Sequence, residues 1–190
     1  MTKLKMILGA FFVGVFFATG AMADPYASAA YQFQNGRDGQ ADANGMRFIV
    51  GNNFNKNWSA EVAGETMRSE GTKTISTLAE AAVIPSIPVG STASVYLRAA
   101  TGMAYVSGAD GFGYYSLEPG VKLALSDSTG IKLGYRFRDS YDDNKSFKTN
   151  TVRLGLEQAL TKNVAGFLGY DRSSGDSKYD AALVGLNVKF

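Results

Sequence analysis

The sequence predicts an all-β protein: a closed antiparallel up-and-down transmembrane β-barrel of ten strands, with eight as the alternative. Three observations carry this expectation. Apolar residues alternate with polar or small ones along most of the chain, the period-two mark of strands whose two faces meet different surroundings. The connections between these runs alternate in length, as they do in barrels with one rim of tight turns and one of longer loops. The runs reach about ten residues, which a tilted strand needs to cross hydrocarbon, whereas soluble strands usually stop at about five or six. Twenty-two glycines and 12% aromatics, with only four prolines in 190 residues, suit such a turn-rich β fold.

Residues 1–23 stand apart. Lys3 and Lys5 open the chain, MILGAFFVGVFFATG supplies an apolar stretch, and Ala21-Met22-Ala23 offers a small-x-small site before Asp24. This layout predicts a secretory signal peptide over 1–23, its cleavage site formed by Ala21 and Ala23 just before Asp24, with the barrel domain over 24–190. A membrane-anchoring helix is the alternative, but the run is shorter than the ~20 residues a spanning helix needs. The whole chain has 19 Lys+Arg and 17 Asp+Glu. Removing two lysines with the signal leaves 17 of each, so the mature chain is neutral and offers no basic face for nucleic acid.

Alternation then predicts strands over 25–35, 46–55, 58–68, 74–83, 92–107, 114–125, 130–139, 148–159, 163–172 and 178–190. In the third, Trp58, Ala60, Val62 and Gly64 face one way; Ser59, Glu61, Ala63 and Glu65 face the other. The fourth is the weak element, because STLAEAAV also reads as a short helix, and eight strands would follow if it were one. The IPSIPVG stretch over 84–90 is expected as a long, proline-bearing connection where a tight turn should fall. In the sixth, Tyr115, Leu117, Val121, Leu123 and Leu125 oppose Ser116, Glu118, Gly120, Lys122 and Ala124. The seventh has the clearest alternation: Ile131, Leu133, Tyr135 and Phe137 against Lys132, Gly134, Arg136 and Arg138. NKN at 55–57, SDST at 126–129 and TKN at 161–163 are tight turns. DGQADANG at 38–45 and SYDDNKSF at 140–147 are longer and polar.

The last strand carries one apolar row, Ala182, Val184, Leu186, Val188 and Phe190, against Leu183, Gly185, Asn187 and Lys189. An apolar strand needs shelter, and pairing it with the first strand removes both edges, as a bilayer requires. The signal segment and this final row resemble those of small bacterial outer-membrane β-barrel proteins of the OmpA/porin-like superfamily. The resemblance implies location in the bacterial cell outer membrane, contact with outer-membrane lipid, and an assembly signal in Ala182, Val184, Leu186, Val188 and Phe190, read by the barrel assembly machinery. With nothing after Phe190, it implies no peptidoglycan-binding domain.

With the apolar rows facing lipid, the charged residues expected in the lumen are Arg47, Glu61, Glu65, Arg98, Glu118, Lys122, Lys132, Arg136, Arg138, Arg153 and Glu157. Seven are basic and four acidic. Two readings follow: a packed interior of paired charges, or a water-filled, anion-preferring pore with Lys132, Arg136, Arg138 and Arg153 as a cationic track. Eight strands enclose only enough room for side chains, and ten lie near that limit. Trp58, Tyr105, Tyr114, Tyr115, Tyr135, Phe137, Tyr170 and Phe190 fall near strand ends, where rings sit at the headgroup level; a sugar-stacking platform is the sharper alternative.

The chain has no histidine and no cysteine, which removes the commonest general base, metal ligand and nucleophile. No enzyme activity, cofactor or metal site is expected. Asp139, Asp142 and Asp143, and Asp38 with Asp42, read as solvated loop tips before they read as weak calcium ligands. The expected function is small-solute passage, porin-like, or structural support of the outer membrane. A surface adhesion protein acting through its longer loops and a soluble lipocalin-like carrier are the alternatives.

Overall fold

Each of the ten strands pairs antiparallel with its neighbours in sequence, and the last returns to the first. The computed structural model describes residues 24–72 and 74–190; the expected cleavage site at Ala21 and Ala23 lies outside them. The strands are β1 (Asp24–Gly36), β2 (Ala43–Asn55), β3 (Trp58–Ser69), β4 (Ile75–Val89), β5 (Ala93–Val106), β6 (Phe112–Ala124), β7 (Thr129–Ser140), β8 (Thr149–Ala159), β9 (Val164–Gly175) and β10 (Tyr179–Lys189). Closure runs from Tyr26↔Lys189 to Gly36↔Tyr179. Beyond that ladder the Phe190 N–H donates to the Pro25 carbonyl at 3.0 Å. The barrel therefore has ten strands, and the eight-strand alternative is excluded.

The segment that also read as a helix is strand throughout, and longer than the alternation suggested. β4 runs on through IPSIPV to Val89, leaving Gly90–Thr92 as the turn, so the long connection expected over 84–91 is instead a tight one. Two prolines are tolerated because neither is asked for a ladder bond. Pairing with β5 skips Ile84 and Pro85, between Val83↔Ala99 and Ser86↔Tyr96. Pro88 lies past the end of β3, whose last partner on β4 is Pro85. Pro119 sits in a similar gap, between Leu117↔Phe137 and Gly120↔Gly134. A missing N–H in a paired strand is costly unless the ladder is open at that point. At the turn, Gly90 has φ +71°, a left-handed conformation that glycine adopts without strain.

One rim carries the connections 56–57, 90–92, 125–128 and 160–163 together with the start of β1 and the end of β10. The other carries 37–42, 70–74, 107–111, 141–148 and 176–178. The loop expected over 36–45 is shorter because β2 starts at Ala43. Asp42 tightens it further by accepting the Gly36 N–H at 2.8 Å.

Polarity is inverted relative to a soluble protein. Phe48, Val50, Leu168, Val184 and Leu186 are about half exposed on the outside, while Gln32, Ser116, Glu118, Thr151 and Ser173 have no exposure at all. This is the arrangement of a barrel standing in a bilayer, with an apolar band outside and a polar interior. A carrier for a greasy ligand needs the reverse, so the lipocalin-like alternative does not fit.

Candidate functional site

The interior row brings together the charged side chains of eight strands, β2 to β9, with Tyr26 of β1 beside them. Inward positions on β10 are mostly small or apolar, with Ala181 and Leu183 buried. Charges taken out of water are stable only when paired and hydrogen-bonded, and the pairing here falls into two branches.

In the first branch Arg47 on β2 donates through Nε (2.9 Å) and Nη2 (2.7 Å) to Glu65 on β3. It also reaches Asp171 on β9 at 3.6 Å. Asp171 accepts from Arg153 on β8 at 3.2 Å, and Arg153 donates onward to Glu118 on β6 at 2.7 Å. Glu118 also accepts the Tyr96 hydroxyl at 2.9 Å and lies 3.4 Å from Lys132 Nζ. In the second branch Arg98 on β5 donates to Glu61 on β3 and to Glu80 on β4, each at 2.6 Å. The Tyr26 hydroxyl caps Glu61 at 3.0 Å, the Tyr114 hydroxyl caps Glu80 at 2.9 Å, and Arg138 on β7 lies 3.7 Å from Glu80.

Two of these pairs cross the lumen. β2 and β9 are separated by β1 and β10, and β4 and β7 by β5 and β6. Arg47–Asp171 and Arg138–Glu80 are therefore struts across the lumen.

Three inward tyrosines supply the neutral donors, and each lies over a glycine directly across the ladder: Tyr26↔Gly51, Tyr96↔Gly120 and Gly102↔Tyr114. A Cβ on any of these glycines would collide with the tyrosine ring beside it. Glycine is required there for close approach: the ring lies flat against the wall and its hydroxyl reaches a carboxylate further in.

Of the residues expected inside, Arg47, Glu61, Arg98, Glu118, Arg136 and Arg138 are buried. Glu65, Lys132 and Arg153 are partly exposed, and Lys122 and Glu157 are exposed near the tight-turn rim. Glu157 accepts from Asn187, and Lys122 lies over the Tyr96 ring at 5.5 Å. Sequence reasoning missed Glu80, Asp171 and the three tyrosines. Glu80 shares its parity with Leu78 and Ala82, and Asp171 with Gly169 and Ala165, so strict period-two counting would have found both. With them the interior carries six carboxylates against seven cations, so the expected cationic track does not exist as such. Lys132 and Arg153 are engaged by Glu118, Arg138 lies near Glu80, and only Arg136 among the four has no ion pair or hydrogen bond among the described residues. Tyr114 is wholly buried and faces inward, not into a girdle. Trp58 and Phe190 are exposed at the tight-turn rim, and Tyr105, Tyr141 and Tyr170 are exposed towards the other.

In the loops the carboxylates serve the loops themselves. Asp38 accepts Lys178 Nζ at 3.0 Å, and this bond holds its carboxyl below the usual aspartate value. Asp142 accepts from the backbone and side chain of Asn144.

No protein-family model and no curated protein sequence matches the chain. Solved structures do. An outer-membrane channel from Pseudomonas putida F1 is similar with TM-score 0.54 and 8% identity, over 90% of this chain and 97% of that one. The translocator domain of the autotransporter NalP from Neisseria meningitidis gives TM-score 0.53 and 11% identity, over 100% and 96%. Neisserial surface protein A gives 0.49 and 14%, over 90% and 100%. At these identities the likeness is one of fold. The closed ten-strand antiparallel barrel matches the fold of outer-membrane barrels, and its apolar outer band agrees with that fold.

Proposed function

We propose that this chain is an integral outer-membrane barrel whose interior is braced shut, a structural element of the membrane and a rigid base for its loops. The observation that carries this reading is the pair of transverse struts, Arg47–Asp171 and Arg138–Glu80, set within branches that draw on nine of the ten strands. Such a network resists both flattening and radial expansion of the wall, and it fills the space a solute would need. The reading is non-enzymatic and needs no cofactor. Liposome swelling tests it: vesicles carrying the mature chain should be no more permeable to a pentose than empty ones. Swelling at a rate proportional to protein content would overturn it.

Porin-like passage of small solutes is the second reading, favoured by one observation. The Lys132 and Arg153 side chains keep 43% and 22% of their exposure, so water reaches part of the lumen. Adhesion through loops 37–42 and 141–148 is compatible with a braced base. The outward row Ala182, Val184, Leu186, Val188 and Phe190 is the surface we assign to recognition by the barrel assembly machinery, a role supported by the resemblance of that row. Deleting Phe190 should lower the yield of assembled barrel in cells without preventing refolding of the purified chain.

A further inference from the structure

The two branches and their neighbour Arg136 hold six cations (Arg47, Arg98, Lys132, Arg136, Arg138 and Arg153) and five carboxylates (Glu61, Glu65, Glu80, Glu118 and Asp171). One positive charge is left over, and geometry gives it to Arg136. That residue is 3% exposed and has no hydrogen bond or ion pair among the described residues; its Nε is buried with no acceptor. Arg138 Nε and Arg98 Nη1 are likewise buried and unpartnered. All three arginines are among the residues that line one cavity of about 90 Å³, with Arg47, Arg153 and Lys132 also on its wall and Glu61, Glu65 and Glu80 as its acidic lining.

A buried guanidinium without an acceptor is among the costliest arrangements a fold can keep. Arg136 has no acceptor among the described residues, and Arg138 and Arg98, which keep Glu80 and Glu61 as partners, each hold one further unpartnered N–H beside the same space. Together they form a donor set that an anion would satisfy, since the planar fork of arginine matches oxyanions and halides without a proton to lose. We propose that this cavity holds a small inorganic anion, of chloride or phosphate size, bound by Arg136 with Arg138 and Arg98 as a resident counter-ion of the barrel interior. Size fixes the class. The volume is about three water shares at ~30 Å³ each, and far below the ~300 Å³ at which pockets for drug-sized ligands begin. A sugar or nucleotide does not fit. The three carboxylates on the wall set the limit to one anion, because each already answers a cation of its own. The site stands whether or not the barrel conducts.

The test uses the mature chain refolded in zwitterionic detergent, with unfolding temperature read from the shift in gel mobility on heating. Chloride and, separately, inorganic phosphate are titrated at constant ionic strength against a bulky sulfonate. Wild type should gain stability saturably with at least one of them, the signature of a ligand bound only by the folded state. Arg136→Gln should weaken the apparent affinity at least tenfold, the scale of one lost charge-assisted hydrogen bond. Lys145→Gln, in the 141–148 loop, should titrate as wild type does. Which anion saturates first separates a halide site from an oxyanion site. A bromide soak of crystals gives a second readout that does not depend on any variant folding: an anomalous peak is expected beside the Arg136 guanidinium. Superimposable titrations for wild type and Arg136→Gln, or a cavity holding water alone after the soak, would overturn the proposal.

Discussion

Arg98→Met removes the one side chain that joins Glu61 to Glu80. The Arg98 side chain is 4% exposed, and both of its bonds are 2.6 Å long. Charge-assisted bonds contribute about 1.5–3 kcal/mol each, which suggests a loss of roughly 3–6 kcal/mol. The carboxylates are not stripped, however: Glu61 keeps the Tyr26 hydroxyl, and Glu80 keeps the Tyr114 hydroxyl with Arg138 nearby. The expected cost is therefore about 3 kcal/mol, the lower end of what breaking a buried pair usually costs, or more than a hundredfold in the folding constant. Methionine nearly preserves the length of the stem, so lost packing adds little. Urea titration of the mature chain in lipid vesicles would read this directly. Trp58 is the sole tryptophan, half exposed at the tight-turn rim, and its emission reports entry into lipid. Adding Glu61→Gln to Arg98→Met should recover part of the loss, about 1–2 kcal/mol, because the uncompensated carboxylate is gone while an acceptor for Tyr26 remains. A loss below about 1 kcal/mol for Arg98→Met would refute the claim that this network bears on the stability of the barrel.

Three further outcomes follow from the same geometry. Val184, at the middle of β10, is half exposed on the outer face; Val184→Arg should cost roughly 2–4 kcal/mol in vesicle folding, and a neutral effect would mean the face assignment is wrong. Leu183→Arg should also be costly, since Leu183 is 5% exposed and packs against Gly169, so the interior offers no easy refuge for a long side chain. Gly120→Ala should lose about 1–3 kcal/mol by pushing Tyr96 off Glu118, whereas Gly64→Ala, where a Cβ meets nothing within 4 Å, should stay within about 0.5 kcal/mol; equal effects in the same urea assay would contradict the tyrosine-over-glycine account. Asp38 has its carboxyl depressed by Lys178, so the loop-to-loop tie is complete above the ordinary aspartate value and fades as pH falls through the lowered one. A carbon-detected NMR titration should show its midpoint rise on Lys178→Gln, and an unchanged midpoint would mean the tie is absent in solution.

Much of the architecture is legible in the sequence because the bilayer enforces period two on every strand. The face assignments of Ile131–Phe137 and Val184–Val188 needed only alternation. The least secure reading was β4, expected over 74–83 with a short helix as its rival and ending six residues too early. Ala79, Ala81 and Ala82 around Glu80 carry good helix propensity, and two prolines follow, so local preference argued against the strand that closure imposes. Glu80 was left out of the inward row on this ambiguous strand, and with Glu80 went the second branch and the correct charge balance. The tyrosine–glycine pairs were invisible for a different reason. Tyr26 and Gly51, or Tyr96 and Gly120, are 25 and 24 positions apart, and only the register sets them opposite each other. The unpaired state of Arg136 likewise depends on which carboxylates the other strands bring inward.

The most direct test of the braced interior is single-channel recording of the refolded chain, residues 24–190, in a planar bilayer, with folding verified by heat-modifiable gel mobility. The bracing predicts a silent membrane at moderate voltage for the wild type, and resolved steps only when both struts are cut, as in Asp171→Ala combined with Glu80→Ala. Reproducible, ohmic steps from the folded wild-type chain would contradict it and make the lumen a pore.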